Sequence, residues 1–97
     1  MAKGYWLARL NIKDRDIFAE YRKRNAAPIA QFGGHFIIKG GKAETKLGAA
    51  ASENVVVEFD SYAKAVACFE SADYQAATEY LKRSAEIIEF VIVEGTE

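Results

Sequence analysis

The residues best suited to chemistry are few in this sequence. There is a single histidine, His35, and a glutamate, Glu58, that follows three valines in a strand-like run, an unusual place for a carboxylate. Arg9 stands in another apolar run. An imidazole and a carboxylate on neighbouring strands make a candidate proton-transfer pair, so His35 and Glu58 are the candidate catalytic residues. An arginine beside them suits an anionic group. Glu58 has a second reading as the ion-pair partner of Arg9, and His35 as a partly exposed strand residue. Tyr5, Tyr21 and Tyr74 combine an apolar body with a polar tip. Asn25 lies one helical turn beyond Tyr21. These four, with Arg9, are the candidate ligand-binding residues. For the tyrosines packing is the alternative, and for Asn25 it is a solvated helix position.

Other features carry less. Cys68 has no histidine near it in sequence and reads as a small buried hydrophobe. One histidine and one cysteine give no metal-ligand spacing, and neither a metal nor another cofactor is expected. The glycine pairs at 33–34 and 40–41 fit no phosphate-binding pattern and read as turns. The run Arg22-Lys23-Arg24 reads as a solvated helix face, too short for a nucleic-acid site.

These side chains need elements to position them. Tyr5 to Leu10 predicts a strand, and Asp14 predicts the cap of a helix carrying Ile17, Phe18, Tyr21, Asn25, Ile29 and Phe32 near one face. Pro28 predicts a kink or break in it. His35–Lys39 predicts a second strand, and residues 42–53 a mobile loop. Asn54–Phe59 predicts a third strand, and Asp60 or Ser61 the cap of a helix that Ser71-Ala72-Asp73 interrupts and restarts. Ile88–Glu94 predicts the last strand. Right-handed crossovers place both helical segments on one face of a four-stranded antiparallel sheet, the α+β, ferredoxin-like βαββαβ plait.

With 97 residues the chain is expected to be one domain, residues 1–97. Formal net charge is −1 with acids and bases interspersed, which argues against nucleic-acid binding. No apolar run approaches the ~20 residues of a membrane span. The N-terminal residues lead into a strand holding Arg9 rather than a signal peptide, and a lone cysteine suits a reducing cytoplasm.

The face without helices decides the oligomeric state. Strand alternation puts Tyr5, Leu7, Ile37, Val56 and part of the last strand there, an apolar patch of roughly several hundred Å². A second copy packed sheet to sheet is the expected cover. Arg9, His35, Lys39 and Glu58 share that face, as the lining of a pocket or as an ion-pair network.

Lys3-Gly4-Tyr5-Trp6, Asp14 before a helix with Tyr21, Gly33-Gly34, Val55-Val56-Val57-Glu58-Phe59 with Ser61, Ser71-Ala72-Asp73-Tyr74-Gln75 and Val93-Glu94-Gly95 fall in this order along the whole chain. In these the chain resembles the bacterial "domain of unknown function 1330" family. It departs from that pattern in having His35 after the glycine pair, where arginine is common, and Cys68-Phe69 in the second helix. The resemblance implies the dimeric α/β-barrel superfamily, whose members include cofactor-free monooxygenases, haem-degrading enzymes and lactone isomerases. It implies no particular reaction. Three readings follow: a cofactor-independent enzyme acting on a small aromatic or anionic metabolite, a non-catalytic metabolite-binding or stress-response homodimer, and, with less to support it, a haem-binding or haem-degrading protein.

Overall fold

The computed structural model describes residues 2–97. The elements run β1 (Gly4–Ile12), α1 (Arg15–Gln31), β2 (His35–Lys39), β3 (Glu53–Phe59), α2 (Tyr62–Glu70), α3 (Ala72–Ser84) and β4 (Ala85–Glu94). The sheet is antiparallel throughout, in the order β2-β3-β1-β4. This is the expected α+β plait.

Local chemistry sets the element boundaries. Asp14 Oδ1 accepts from the Ile17 amide at 3.0 Å and starts α1. Of the two candidate caps for α2, Ser61 is used, its Oγ accepting from the Lys64 amide at 3.1 Å. Ser71 closes α2 through its amide and opens α3 by accepting from the Tyr74 amide, so one residue both interrupts and restarts the helix. Gly33 ends α1 at φ +78, and its amide and that of Gly34 satisfy the Ala30 and Ile29 carbonyls. A Cβ on Gly34 would come within 2.5 Å of the Phe59 ring, so the second glycine is required for packing.

Three expectations need correction. Pro28 does not break α1; it falls in the last turn, where little of the hydrogen-bond ladder follows it, and its carbonyl accepts from the Phe32 amide. β4 begins at Ala85 rather than Ile88. The Ser84 carbonyl accepts from the Lys13 and Asp14 amides, and Ile12 pairs with Ala85, so β1 captures the chain as it leaves α3. The loop before β3 is tied down at its far end, where Ser52 hydrogen-bonds to Leu10, Asn11 and Ile12.

The core lies between the sheet and the helices. Trp6, Ala8 and Leu10 of β1 and Val57 and Phe59 of β3 meet Phe18, Tyr21 and Ile29 of α1, Ala65 and Cys68 of α2, and Tyr74, Ala77 and Leu81 of α3. Trp6 is central: it contacts the Phe59, Phe69, Tyr74 and Phe90 rings, and its Nε1 donates to the Ala65 carbonyl at 2.9 Å. Among the described residues, no helix is long and apolar enough to cross a membrane.

Candidate functional site

Register decides which side chains meet on the helix-free face. Tyr5 stands opposite Glu58, Leu7 opposite Val56 and Arg9 opposite Asn54. The neighbouring strands complete three rows across the sheet. One row is His35, Glu58, Tyr5 and Val93; the next is Ile38, Val56, Leu7 and Val91; the third is Asn54, Arg9 and Glu89. An apolar row therefore lies between two rows that carry the polar groups. Leu7, Ile38 and Val91 remain 37%, 47% and 44% exposed.

The first row holds the candidate acid–base pair. His35 Nε2 lies 3.0 Å from Glu58 Oε1, and the Tyr5 hydroxyl donates to Glu58 Oε2 at 3.0 Å. That hydrogen bond, with burial and the charge of Glu58, raises the Tyr5 pKa. Each carboxylate oxygen has its own partner, one from each flanking strand. The expected Arg9–Glu58 ion pair does not form, because the two lie four residues apart along paired strands, roughly 13 Å. Arg9 instead binds Asn54 Oδ1 at 3.2 Å, Glu89 Oε1 at 3.3 Å and the Ala49 carbonyl at 2.5 Å.

Lys39 also leaves the expected group. The β2–β3 register shifts between Phe36 and Ile38, so Ile37 is an extra residue and the alternation reverses after it. Ile38 turns to the helix-free face opposite Val56. Lys39 turns to the helix side opposite Val55, with its Nζ 4.6 Å from the Phe36 ring centroid.

The remaining candidates, Tyr21, Asn25 and Tyr74, are on the other side of the sheet from Tyr5, His35 and Glu58. A cleft beneath α1 is lined by Tyr21 and Asn25 and by none of Tyr5, His35 and Glu58. The Tyr21 and Tyr74 hydroxyls are 2.7 Å apart, linking α1 to α3 in a buried setting. Asn25 is not the solvated helix position that was its alternative; it is 6% exposed and its side chain bonds to the Tyr21 hydroxyl. Burial raises the Tyr21 pKa despite its hydrogen bonds with Tyr74 and Asn25. Burial, then the neighbouring Tyr21, raises that of Tyr74. Both phenols therefore act as neutral donors and acceptors. Burial also lifts the Cys68 thiol to about 11, which keeps it out of nucleophilic chemistry near neutral pH.

That cleft lies beside this pair. Helix α1 leans on α3 far more than on the sheet, and the gap beneath it is narrow: about 530 Å³ of space counted with its open mouth, of which about 30 Å³ stands clear of the walls, enough for a water-sized group. Its floor is sheet: Trp6, Ala8, Val55, Val57 and Phe90. Ala8 is the small residue among them and leaves the room. Its roof is α1, which contributes Phe18, Tyr21, Asn25 and Ile29. Arg22 and Lys39 are its charged lining groups. Arg22 is thus more than part of a solvated basic run: it binds Glu53 Oε2 at 2.6 Å and lies 5.1 Å from the Phe18 ring centroid. The sequence signal was its place one turn after Phe18 on the helix.

Comparison with solved structures recovers the same architecture at low identity. A protein of unknown function from Rhodopseudomonas palustris, RPA0582, is 13% identical, with a TM-score of 0.74 over 96% of this chain and 80% of its own. SnoaB, a cofactor-independent oxygenase from Streptomyces nogalater, is 12% identical, with a TM-score of 0.68 over 100% of this chain and 96% of its own. A dimeric protein of unknown function with a ferredoxin-like fold from Bacteroides fragilis is 12% identical, with a TM-score of 0.61 over 98% and 96%. No curated protein matches the chain. At such identities the shared property is the fold. A family model resolves what fold alone leaves open, matching residues 3–96: the chain belongs to the DUF1330 family, a domain of unknown function.

Proposed function

We propose that this chain is a homodimer that binds a small, mainly apolar organic molecule in the cleft between α1 and the sheet. The observation that carries the binding role is the cleft itself: apolar walls with two buried neutral hydrogen-bonding groups, Tyr21 and Asn25, on its roof. Such a surface suits a ligand body oriented by a few polar contacts. The His35–Glu58 pair lies across the sheet from the cleft and is matched by Tyr5, so we read it, with Arg9, as the polar border of a surface between two copies. An apolar centre between polar margins is the usual anatomy of a protein interface. The dimeric Bacteroides fragilis neighbour supports the same assembly.

Trp6, the only tryptophan, lines the cleft and reports its occupancy. Ala8→Phe fills the floor. In the folded variant, a molecule that changes Trp6 emission in the native protein is expected to lose that effect. Retained binding with native affinity would place the ligand elsewhere.

A second reading makes the cleft an active site for cofactor-independent chemistry. It is favoured by the same pair: a neutral phenol and an amide in an apolar site can stabilise an oxyanion developing on a substrate. Tyr21→Phe should then lower turnover of a bound substrate more than its affinity. An equal loss in both would leave binding alone.

A further inference from the structure

The cleft's polar groups are sorted by depth. The neutral groups, Tyr21 and Asn25, are buried, whereas Arg22 and Lys39 reach solvent at the rim. Lys39 Nζ lies beside the Phe36 ring, and among the described residues no carboxylate lies within ion-pair distance of it. Arg22 is held by Glu53, whose side chain is only 15% exposed and rests against Gly40, where a Cβ would stand 3.1 Å from Oε2.

Phe18 and Arg22 are also a partition. Beyond them lies a shallower depression of about 390 Å³, open space included, to which Arg15 and Glu53 contribute. The charged groups lining the two depressions are three cations, Arg15, Arg22 and Lys39, and one carboxylate, Glu53. A cationic ligand would meet like charge at the rim, and a wholly neutral one would leave Lys39 unmatched. Glu53 already shows how a carboxylate seats on Arg22.

Resting on the cleft as the binding site, we propose that its ligand is an amphipathic monoanion: a small carboxylic acid with an aromatic or aliphatic body. The body lies between Phe36, Phe90 and Val57, and the carboxylate lies at the rim between Lys39 and Arg22. Glu53 holds Arg22 while the cleft is empty, and the incoming carboxylate takes its place. Glu53 thereby sets a cost on entry that only an anion able to exchange with it recovers.

The test titrates cinnamate, cinnamamide and 2-naphthol into the full chain, read by Trp6 fluorescence and by calorimetry. Cinnamate is expected to bind roughly tenfold more tightly than its amide, the size of one charge-assisted hydrogen bond. Lys39→Gln should shrink that difference, leaving only the part carried by Arg22. Glu53→Gln should tighten cinnamate several-fold and leave cinnamamide unchanged. Equal affinity for acid and amide in the native chain overturns the carboxylate assignment, as does a Glu53→Gln effect shared by both. If neither cinnamyl probe binds but 2-naphthol does, the acid class falls and the cleft stands. If all three fail to perturb Trp6, the acid class falls together with the cleft as an apolar binding site.

Discussion

The two faces of the four-stranded sheet are put to opposite ends. On the helix side, Trp6, Ala8, Leu10, Val57 and Phe59 are sealed beneath helices, and the polar groups there, Tyr21, Asn25 and Tyr74, are neutral and bonded to one another. On the helix-free side, the titratable residues His35, Glu58 and Arg9 are matched across strands, with an apolar row between them. The cleft is thus lined by a phenol, Tyr21, whose pKa burial raises, and the His35–Glu58 pair lies on the opposite face of the sheet. Residue type alone points to the second face as the site of chemistry. The proposed function places binding on the first face and an interface on the second.

Adjacent residues in β3 provide the sharpest comparison. Val57 is 1% exposed beneath the helices, so Val57→Asp buries a carboxylate without a partner and should destabilise the monomer by about 3–5 kcal/mol or more. Loss of the cooperative urea transition is the expected result. Val56→Asp, one residue away, should leave the far-ultraviolet spectrum native while weakening self-association at least about a hundredfold, an effect of roughly 3 kcal/mol. Sedimentation velocity across a concentration series measures it. A Val56→Asp protein that sediments as the native one does would break the assignment of the helix-free face as an interface.

Smaller effects come from the tyrosines. Tyr74→Phe leaves the buried Tyr21 hydroxyl without its 2.7 Å partner and should cost about 1–3 kcal/mol in urea unfolding. The double variant with Tyr21→Phe should cost less than the two single changes added together. Tyr5→Phe, on the other face, should shift the urea midpoint far less, since water replaces the lost contact to Glu58.

The pH dependence separates the faces again. The folded-state pKa values of Tyr21 and Tyr74 are raised above the ordinary 10.0, so the folded form holds their protons more tightly than the unfolded chain. Their contribution is complete below about pH 10 and is lost as pH rises above it. Alkaline unfolding should therefore move to higher pH in the double phenylalanine variant. Glu58→Gln, by contrast, removes the carboxylate whose hydrogen bond, and to a lesser degree whose charge, raises the Tyr5 pKa, and one phenol in a spectrophotometric titration should shift down without a change in unfolding.

Much of this architecture can be read directly from residue types. Alternation in β1 and β3 assigns their faces, and Asp14, Ser61 and Ser71 mark the helix starts because each offers a side-chain oxygen to an unpaired amide. Register is less legible. Arg9 and Glu58 sit on adjacent strands, yet what pairs them with Asn54 and Tyr5 is the packing of the whole sheet, with residues 13–52 between the strands. The burial of Asn25 depends on how α1 leans toward α3, which no spacing within α1 encodes. The cleft follows from that lean as well. It is not legible in the sequence because most of its lining, such as Trp6, Val57 and Phe90, consists of residue types that equally make a core.

The extra residue in β2 has a consequence for how such chains diverge. Were the ladder to run regularly through Ile37, that residue would stand opposite Val56 and Ile38 opposite Val55, and Lys39 would fall opposite Asn54 on the helix-free face. Neither overall composition nor net charge would register the exchange. Two homologues with the same residues in the same order can therefore carry different charge at the rim of the proposed site, and a one-residue change of register in a single strand is enough to separate them.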